Sequence, residues 1–167
     1  MRQSYIFYAF LLLISISCKH TNKKITDAII IKQDSIYGEL IADTIIYDVV
    51  IRNPDQDDLW ETERLKLLQH SRLVDSLFKM VYEEKVTAYD FFTNKVMKVM
   101  DVKKMEQEEG FTRDKIGKIQ FTERWYFSST NGLFQKEVIS VVLGYEVEDD
   151  NGFIRGYKPV FKLFLNH

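Results

Sequence analysis

The chain has 167 residues and a formal net charge of −2, and 46% of its residues are hydrophobic and 14% aromatic. This composition is typical of one folded domain with an apolar core, and it excludes a low-complexity or disordered chain. The slight acidic excess argues against a nucleic-acid partner. Because Cys18 is the single cysteine, a disulfide framework and a cysteine-ligated metal site are excluded as well.

The first 17 residues have the layout of a secretory signal peptide. Arg2 precedes an apolar run from Tyr5 to Ile16, which is shorter than the roughly 20 residues that a membrane-spanning helix needs. The segment Ile14–Cys18 resembles a lipobox, in which a small residue precedes the cysteine that becomes the acylated first residue. We therefore expect lipidation, including palmitate, at Cys18. An uncleaved signal anchor or a core helix is the alternative.

Cleavage before Cys18 would leave 150 residues and remove Arg2, so that 22 basic residues would face 25 acidic ones and the formal charge would be −3. The polar residues after the cysteine predict a lipid-anchored tether over 18–24, followed by a single domain over 25–167. Two β-branched runs, Ile29–Ile31 and Ile45–Ile51, predict the first strands.

A long helix is the next predicted element. Asp58 and Glu61 have the spacing of a helix start. Apolar residues then keep helical spacing to about Glu84, with room for a break near Ser71. They are Trp60, Leu65, Leu68, Leu73, Leu77, Phe78 and Val81.

A short strand over 86–89 and a second helix over 101–109, ended by Gly110, are predicted next. From Ile119 to Ser128 the pattern alternates with a period of two, which predicts a strand. Asn131-Gly132 signals a hairpin, and 138–147 and 153–165 supply two further strands, with Pro159 favouring an edge or a bulge. The predicted fold class is α+β, an antiparallel sheet whose C-terminal three-stranded meander packs against the long helix.

Few residues suggest chemistry. The histidines at 20, 70 and 167 lack metal-ligand spacing, so neither a metal nor another cofactor is expected. Asn53, Asp55 and Asp57 alternate as in a calcium loop, but Asp58 replaces the required glycine and Arg64 the bidentate glutamate. We interpret this segment as a loop and helix cap.

Several carboxylates could serve acid-base catalysis, but no other residue type converges on them, and a solvated charged edge is the preferred interpretation. They are Glu61, Glu63, Glu123 and the acidic run Glu146–Asp150. Phosphate-loop, nucleophile-elbow and zinc-protease motifs are missing from the sequence. We expect no enzyme activity, and a hydrolase with a dispersed carboxylate site ranks last among the alternatives.

Aromatic residues are the candidates for binding, since they dominate protein interfaces. Trp60, Tyr126 and Phe134 are the predicted interaction residues. Trp125 and Tyr126 must point to opposite faces of their strand. Trp125 is expected inside, together with Phe121 and Phe127.

Three C-terminal segments, Ile119–Phe127, Ser140–Tyr145 and Gly156–Phe161, together resemble the gliding-motility N protein family over roughly residues 85–165. Ala88-Tyr89-Asp90 resembles a segment upstream of them in that family. The resemblance implies a periplasmic component that assembles with an outer-membrane lipoprotein into the ring of the type IX secretion and gliding machinery. It implies neither enzyme activity nor a cofactor.

The leading hypothesis is an outer-membrane lipoprotein that faces the periplasm and binds an envelope protein. Basic rather than acidic residues after Cys18 favour the periplasmic side. The alternative is a periplasmic binder of a lipid, glycan or peptide. A deep apolar pocket would favour the ligand binder, and a flat aromatic patch would favour the protein-binding module.

Overall fold

The computed structural model describes residues 37–55 and 57–165. The predicted signal peptide, Cys18, the tether and the predicted strand Ile29–Ile31 lie outside these residues. Six strands form one antiparallel sheet: β1 (Glu39–Val50), β2 (Ala88–Tyr89), β3 (Val96–Met97), β4 (Ile116–Ser128), β5 (Leu133–Glu148) and β6 (Ile154–Phe164). Their order across the sheet is β1-β4-β5-β6-β2-β3. Three helices accompany the sheet: α1 (Leu59–Leu65), α2 (His70–Tyr82) and α3 (Val99–Glu106).

The predicted fold class is wrong. The described part of the chain is mostly antiparallel sheet with three short helices, and not a C-terminal three-stranded meander on one long helix. β1 pairs with β4 and extends the sheet on one side, while β2 and β3 extend it beyond β6. These pairings join residues far apart in the sequence, which local periodicity does not detect.

The predicted long helix is two helices, α1 and α2, separated by residues 66–69. Only α2 has apolar residues at the i, i+3, i+4 and i+7 spacing that forms one buried stripe, at Val74, Leu77, Phe78 and Val81. α1 buries no residue. The break therefore separates a helix with a buried apolar stripe from one that buries no residue.

The hydrophobic core lies between α2 and one face of the sheet, called here the helix face. Phe78 of α2 meets Phe161 of β6 edge to face, with ring centroids 5.0 Å apart. Ile119 and Leu143, paired across β4 and β5, are buried beneath them. His70 Nε2 lies 2.7 Å from the Ile116 carbonyl oxygen and fixes the start of α2 over β4.

Arg113 joins the three elements that cover the helix face. Its guanidinium lies 4.3 Å from the centre of the Phe78 ring and forms ion pairs with Asp75 of α2, at 2.7 Å, and Glu106 of α3, at 2.5 Å. The cation therefore ties both helices to the loop before β4 while its planar group covers the edge of the core.

The other face of the sheet buries Glu146, which lies opposite Tyr157 in the β5–β6 register. Its carboxylate forms an ion pair with Arg52, at the end of β1. The prediction that Glu123 and Glu146 belong to a solvated edge is wrong, since they are only 3% and 2% exposed. A buried charge requires a compensating group, and both carboxylates have one from a distant part of the chain.

Gly117 provides the space that the Glu146 side chain fills. A Cβ atom at Gly117 would lie 2.8 Å from the Glu146 carboxylate carbon, and the fully buried side chain could move away only by leaving Arg52. We expect Gly117→Ala to destabilise the fold by about 1–3 kcal/mol, as overpacking does, in urea unfolding of the full chain.

Gly156→Ala is the matched control, because nothing lies within 4 Å of a Cβ atom at that strand position. It should leave stability nearly unchanged. Equal unfolding midpoints for the two variants would contradict the tight contact between Gly117 and Glu146.

Candidate functional site

α1 displays apolar side chains that the fold does not use. Leu59, Trp60 and Leu67, which are 78%, 72% and 86% exposed, lie on α1 or in the turn directly after it. We call these three residues the docking patch. Large exposed apolar side chains, and tryptophan in particular, are common at the centres of protein interfaces.

Polar contacts, rather than apolar burial, hold α1 in place. Asp58 caps the helix by accepting a hydrogen bond from the Glu61 amide at 3.0 Å, as the sequence predicts. Asn53 donates to Thr62 Oγ1 at 2.8 Å, and Arg64 donates to the Val50 carbonyl at 2.9 Å. These contacts anchor the helix to the end of β1 and leave Leu59 and Trp60 exposed.

The surroundings of the docking patch are acidic. Five carboxylates and two basic residues lie between Asp55 and Lys66. The two basic residues, Arg64 and Lys66, already pair with Glu61 and Glu63. The patch therefore combines an indole and two leucines with a negative field, which attracts cationic surfaces.

The structure does not bring the other two predicted interaction residues to this patch. Tyr126 and Phe134 lie near the turn between β4 and β5, where Tyr126 pairs with Gln135 and Phe127 with Phe134. Because neighbours alternate along a strand, Tyr126 and Phe134 face opposite sides of the sheet. Phe134 is 47% exposed, whereas Tyr126 is half-buried and donates to Glu137 at 2.8 Å.

Trp125, on the helix face, is half-buried, and Phe127 two residues further is exposed. The prediction that both lie inside with Phe121 is therefore wrong for Phe127. Phe121 and Val138 pack against the core, and Trp125 lies beyond them. The helix face thus continues past the core as an aromatic surface with access to solvent.

Glu123 lies in this part of the helix face and is buried. Tyr47 donates to its Oε1 atom at 2.8 Å, and the Trp125 indole N–H donates to Oε2 at 2.9 Å. The Lys136 ammonium lies 3.6 Å from Oε2. We call Tyr47, Glu123, Trp125 and Lys136 the Glu123 cluster.

Tyr47 and Lys136 are members of this cluster that the sequence did not predict. The available signal was Glu123 itself, a carboxylate at an apolar position of the alternating pattern between Phe121 and Trp125. A buried carboxylate on a strand needs donors from neighbouring strands. Burial and the hydrogen bond to Glu123 both raise the pKa of Tyr47, since they disfavour its ionised form.

A groove of about 440 Å³ opens at the other end of the helix face. Its walls include the stacked rings of Phe111 and Tyr145, whose centroids are 5.0 Å apart, and the ion pair of Lys115 with Glu148 at 2.9 Å. The volume is adequate for a small molecule. Because charged side chains line its walls, the groove is not the deep apolar pocket expected from the sequence for a binder of a lipid, glycan or peptide.

Among residues 37–55 and 57–165, no group of three or more histidine, cysteine, aspartate or glutamate side chains could hold a metal ion. No helix in the same ranges is long and apolar enough to cross a membrane. No protein-family model matches the chain, and no curated protein matches it either.

We expect Tyr47→Phe to destabilise the protein by about 1–2 kcal/mol at neutral pH, because it leaves a buried carboxylate oxygen without its donor. Because the pKa of Tyr47 is raised in the folded protein, its protonated side chain contributes stability below pH 10. This contribution is lost as the pH rises through the folded-state pKa. The stability difference between the wild type and the variant should therefore narrow above pH 10 in urea unfolding. If the stability difference between the wild type and Tyr47→Phe stays constant above pH 10, the hydrogen bond from Tyr47 to Glu123 is contradicted.

Proposed function

We propose that this chain is an outer-membrane lipoprotein, anchored through lipid on Cys18 and facing the periplasm, whose domain binds another envelope protein and has no enzyme activity. The exposed tryptophan and leucines of the docking patch carry the protein-binding part of the proposal. The lipobox-like segment before Cys18 supports the anchoring part. The resemblance to the gliding-motility N protein family suggests type IX secretion and gliding as the process.

The docking patch suits a protein partner because the backbone that carries it is already positioned. α1 is fixed by its cap and by Arg64, so binding would not have to order this helix, and that part of the entropic cost of association is avoided. Trp60 presents a large rigid surface of the kind that forms the energetic centre of interfaces. A short helix that shows such residues without burying any is best explained by a partner that covers them.

The partner should be cationic around an apolar pocket. The excess of carboxylates near α1 would repel an anionic lipid surface, so a membrane is the less suitable occupant of this patch. A protein surface that receives the Trp60 ring and surrounds it with lysine or arginine side chains would match both its shape and its charge.

The groove beside Phe111 and Tyr145 supports a second candidate, the periplasmic binder of a lipid, glycan or peptide. Its mixed charges favour a polar ligand over a lipid. The two candidates are separable, because the groove is lined from α3 through β6 and contains no residue of the docking patch.

Trp60→Ala should weaken the complex with the envelope partner by about 30-fold or more, which corresponds to about 2 kcal/mol for a hot-spot residue. The complex would be captured by crosslinking in intact envelopes, its partner identified, and the affinity measured with both purified proteins. Because exposed charges are screened by salt, affinity should also fall as ionic strength rises.

Phe92→Ala is the matched control, because Phe92 is an equally exposed aromatic residue, at 76%, in the loop between β2 and β3. It should leave the affinity unchanged. If both variants capture the same proteins as the wild type with equal affinity, the docking patch is not the binding surface.

Cys18→Ala should abolish labelling of the chain by an alkyne analogue of palmitate and release it from the membrane fraction, because acyl chains supply the anchoring energy. Ser17→Ala keeps a small residue before the cysteine and should be labelled normally. Membrane retention of the unlabelled Cys18→Ala chain would indicate a signal anchor instead.

A further inference from the structure

The Glu123 cluster holds a cation between aromatic rings and a carboxylate. The Lys136 ammonium lies 4.6 Å from the centre of the Trp125 ring and 5.5 Å from that of Tyr47. It lies 3.6 Å from Glu123 Oε2. Aromatic faces and a carboxylate together form the environment that proteins use to bind organic ammonium groups.

The receiving side of this arrangement is rigid. The Glu123 side chain is only 4% exposed, and each oxygen accepts a hydrogen bond, one from Tyr47 and one from Trp125. Tyr47 stacks on Phe121, and Trp125 meets Phe134 edge to face. These contacts fix the carboxylate and both rings, so that a cation finds them already oriented.

The occupant, in contrast, is held weakly. The Lys136 side chain is 46% exposed, and its 3.6 Å separation from Glu123 is an ion pair beyond hydrogen-bonding distance. A flexible lysine of this exposure contributes little stability and can rotate into solvent. The rigid carboxylate and rings would remain in place after it leaves.

We propose that Tyr47, Glu123 and Trp125 form a binding site for an organic ammonium group, and that Lys136 occupies this site in the free protein. The ligand is a protonated primary amine or a quaternary ammonium ion, and it displaces the lysine ammonium. The buried carboxylate excludes anions, and ring faces offer no ligand atoms to a metal ion. The site contains no residue of the docking patch, so the inference stands apart from the proposed function.

Tryptophan fluorescence can report on this site directly. The chain has two tryptophans, so Trp60→Phe leaves Trp125 as the only indole. In this background of the full chain, Lys136→Ala should show a saturable change in fluorescence with choline and with tetramethylammonium. Removing the competing ammonium should lower the apparent Kd about tenfold relative to the protein that retains Lys136.

Lys162→Ala is the matched control, because the Lys162 ammonium also lies 4.6 Å from a ring centre, that of Phe164. It should bind choline no better than the protein that retains both lysines. 3,3-Dimethylbutanol, the uncharged analogue of choline, should not bind, and Glu123→Gln should remove choline binding from the Lys136→Ala protein.

Lipid vesicles distinguish the two possible sources of the ammonium group, a soluble compound and a lipid headgroup. Binding of choline without binding of phosphatidylcholine vesicles assigns the site to a soluble ammonium compound. Binding of phosphatidylcholine but not phosphatidylglycerol vesicles, with competition by choline, assigns it to a lipid headgroup. The inference is overturned if Lys136→Ala and Lys162→Ala respond alike to choline, or if the uncharged analogue binds equally well.

Discussion

The packing of α2 on the sheet is the interaction on which the rest of the structure depends. α2 has 13 residues, so it is about 20 Å long, whereas β5 with 16 residues extends for about 50 Å. One helix therefore covers less than half the length of the central strands. The buried core ends near Phe121 and Val138, and beyond it the same face must be compatible with water.

The residues beyond the core fit this requirement. Trp125 and Tyr47 each have an apolar ring and a polar group, which suits positions between core and solvent. Both polar groups donate to Glu123, so the carboxylate satisfies two donors while the rings shield it. The Glu123 cluster thus follows from the mismatch between helix length and strand length, and a longer α2 would have required apolar residues in its place.

The sequence was sufficient for elements whose signal is local. The alternation from Ile119 to Ser128 and the Asn131-Gly132 turn located β4 and its hairpin. The prediction that Pro159 lies at an edge or a bulge is confirmed, since Pro159 lies at a register shift between β5 and β6. Sheet order and the partners of the buried carboxylates were not predictable, because they depend on distant pairs. Tyr47 and Glu123 are 76 residues apart, and Arg52 and Glu146 are 94 apart.

The two surfaces proposed for binding share carboxylate and aromatic chemistry but differ in their solvent exposure. Around α1 the carboxylates are at the surface, where ions screen them within about 8–10 Å at physiological salt. Glu123 is buried, and its attraction for a cation is screened much less. A cationic protein bound at α1 should therefore dissociate as salt rises, whereas an ammonium group in contact with Glu123 and Trp125 should be retained. The salt dependence of any ligand found for this chain thus indicates which surface holds it.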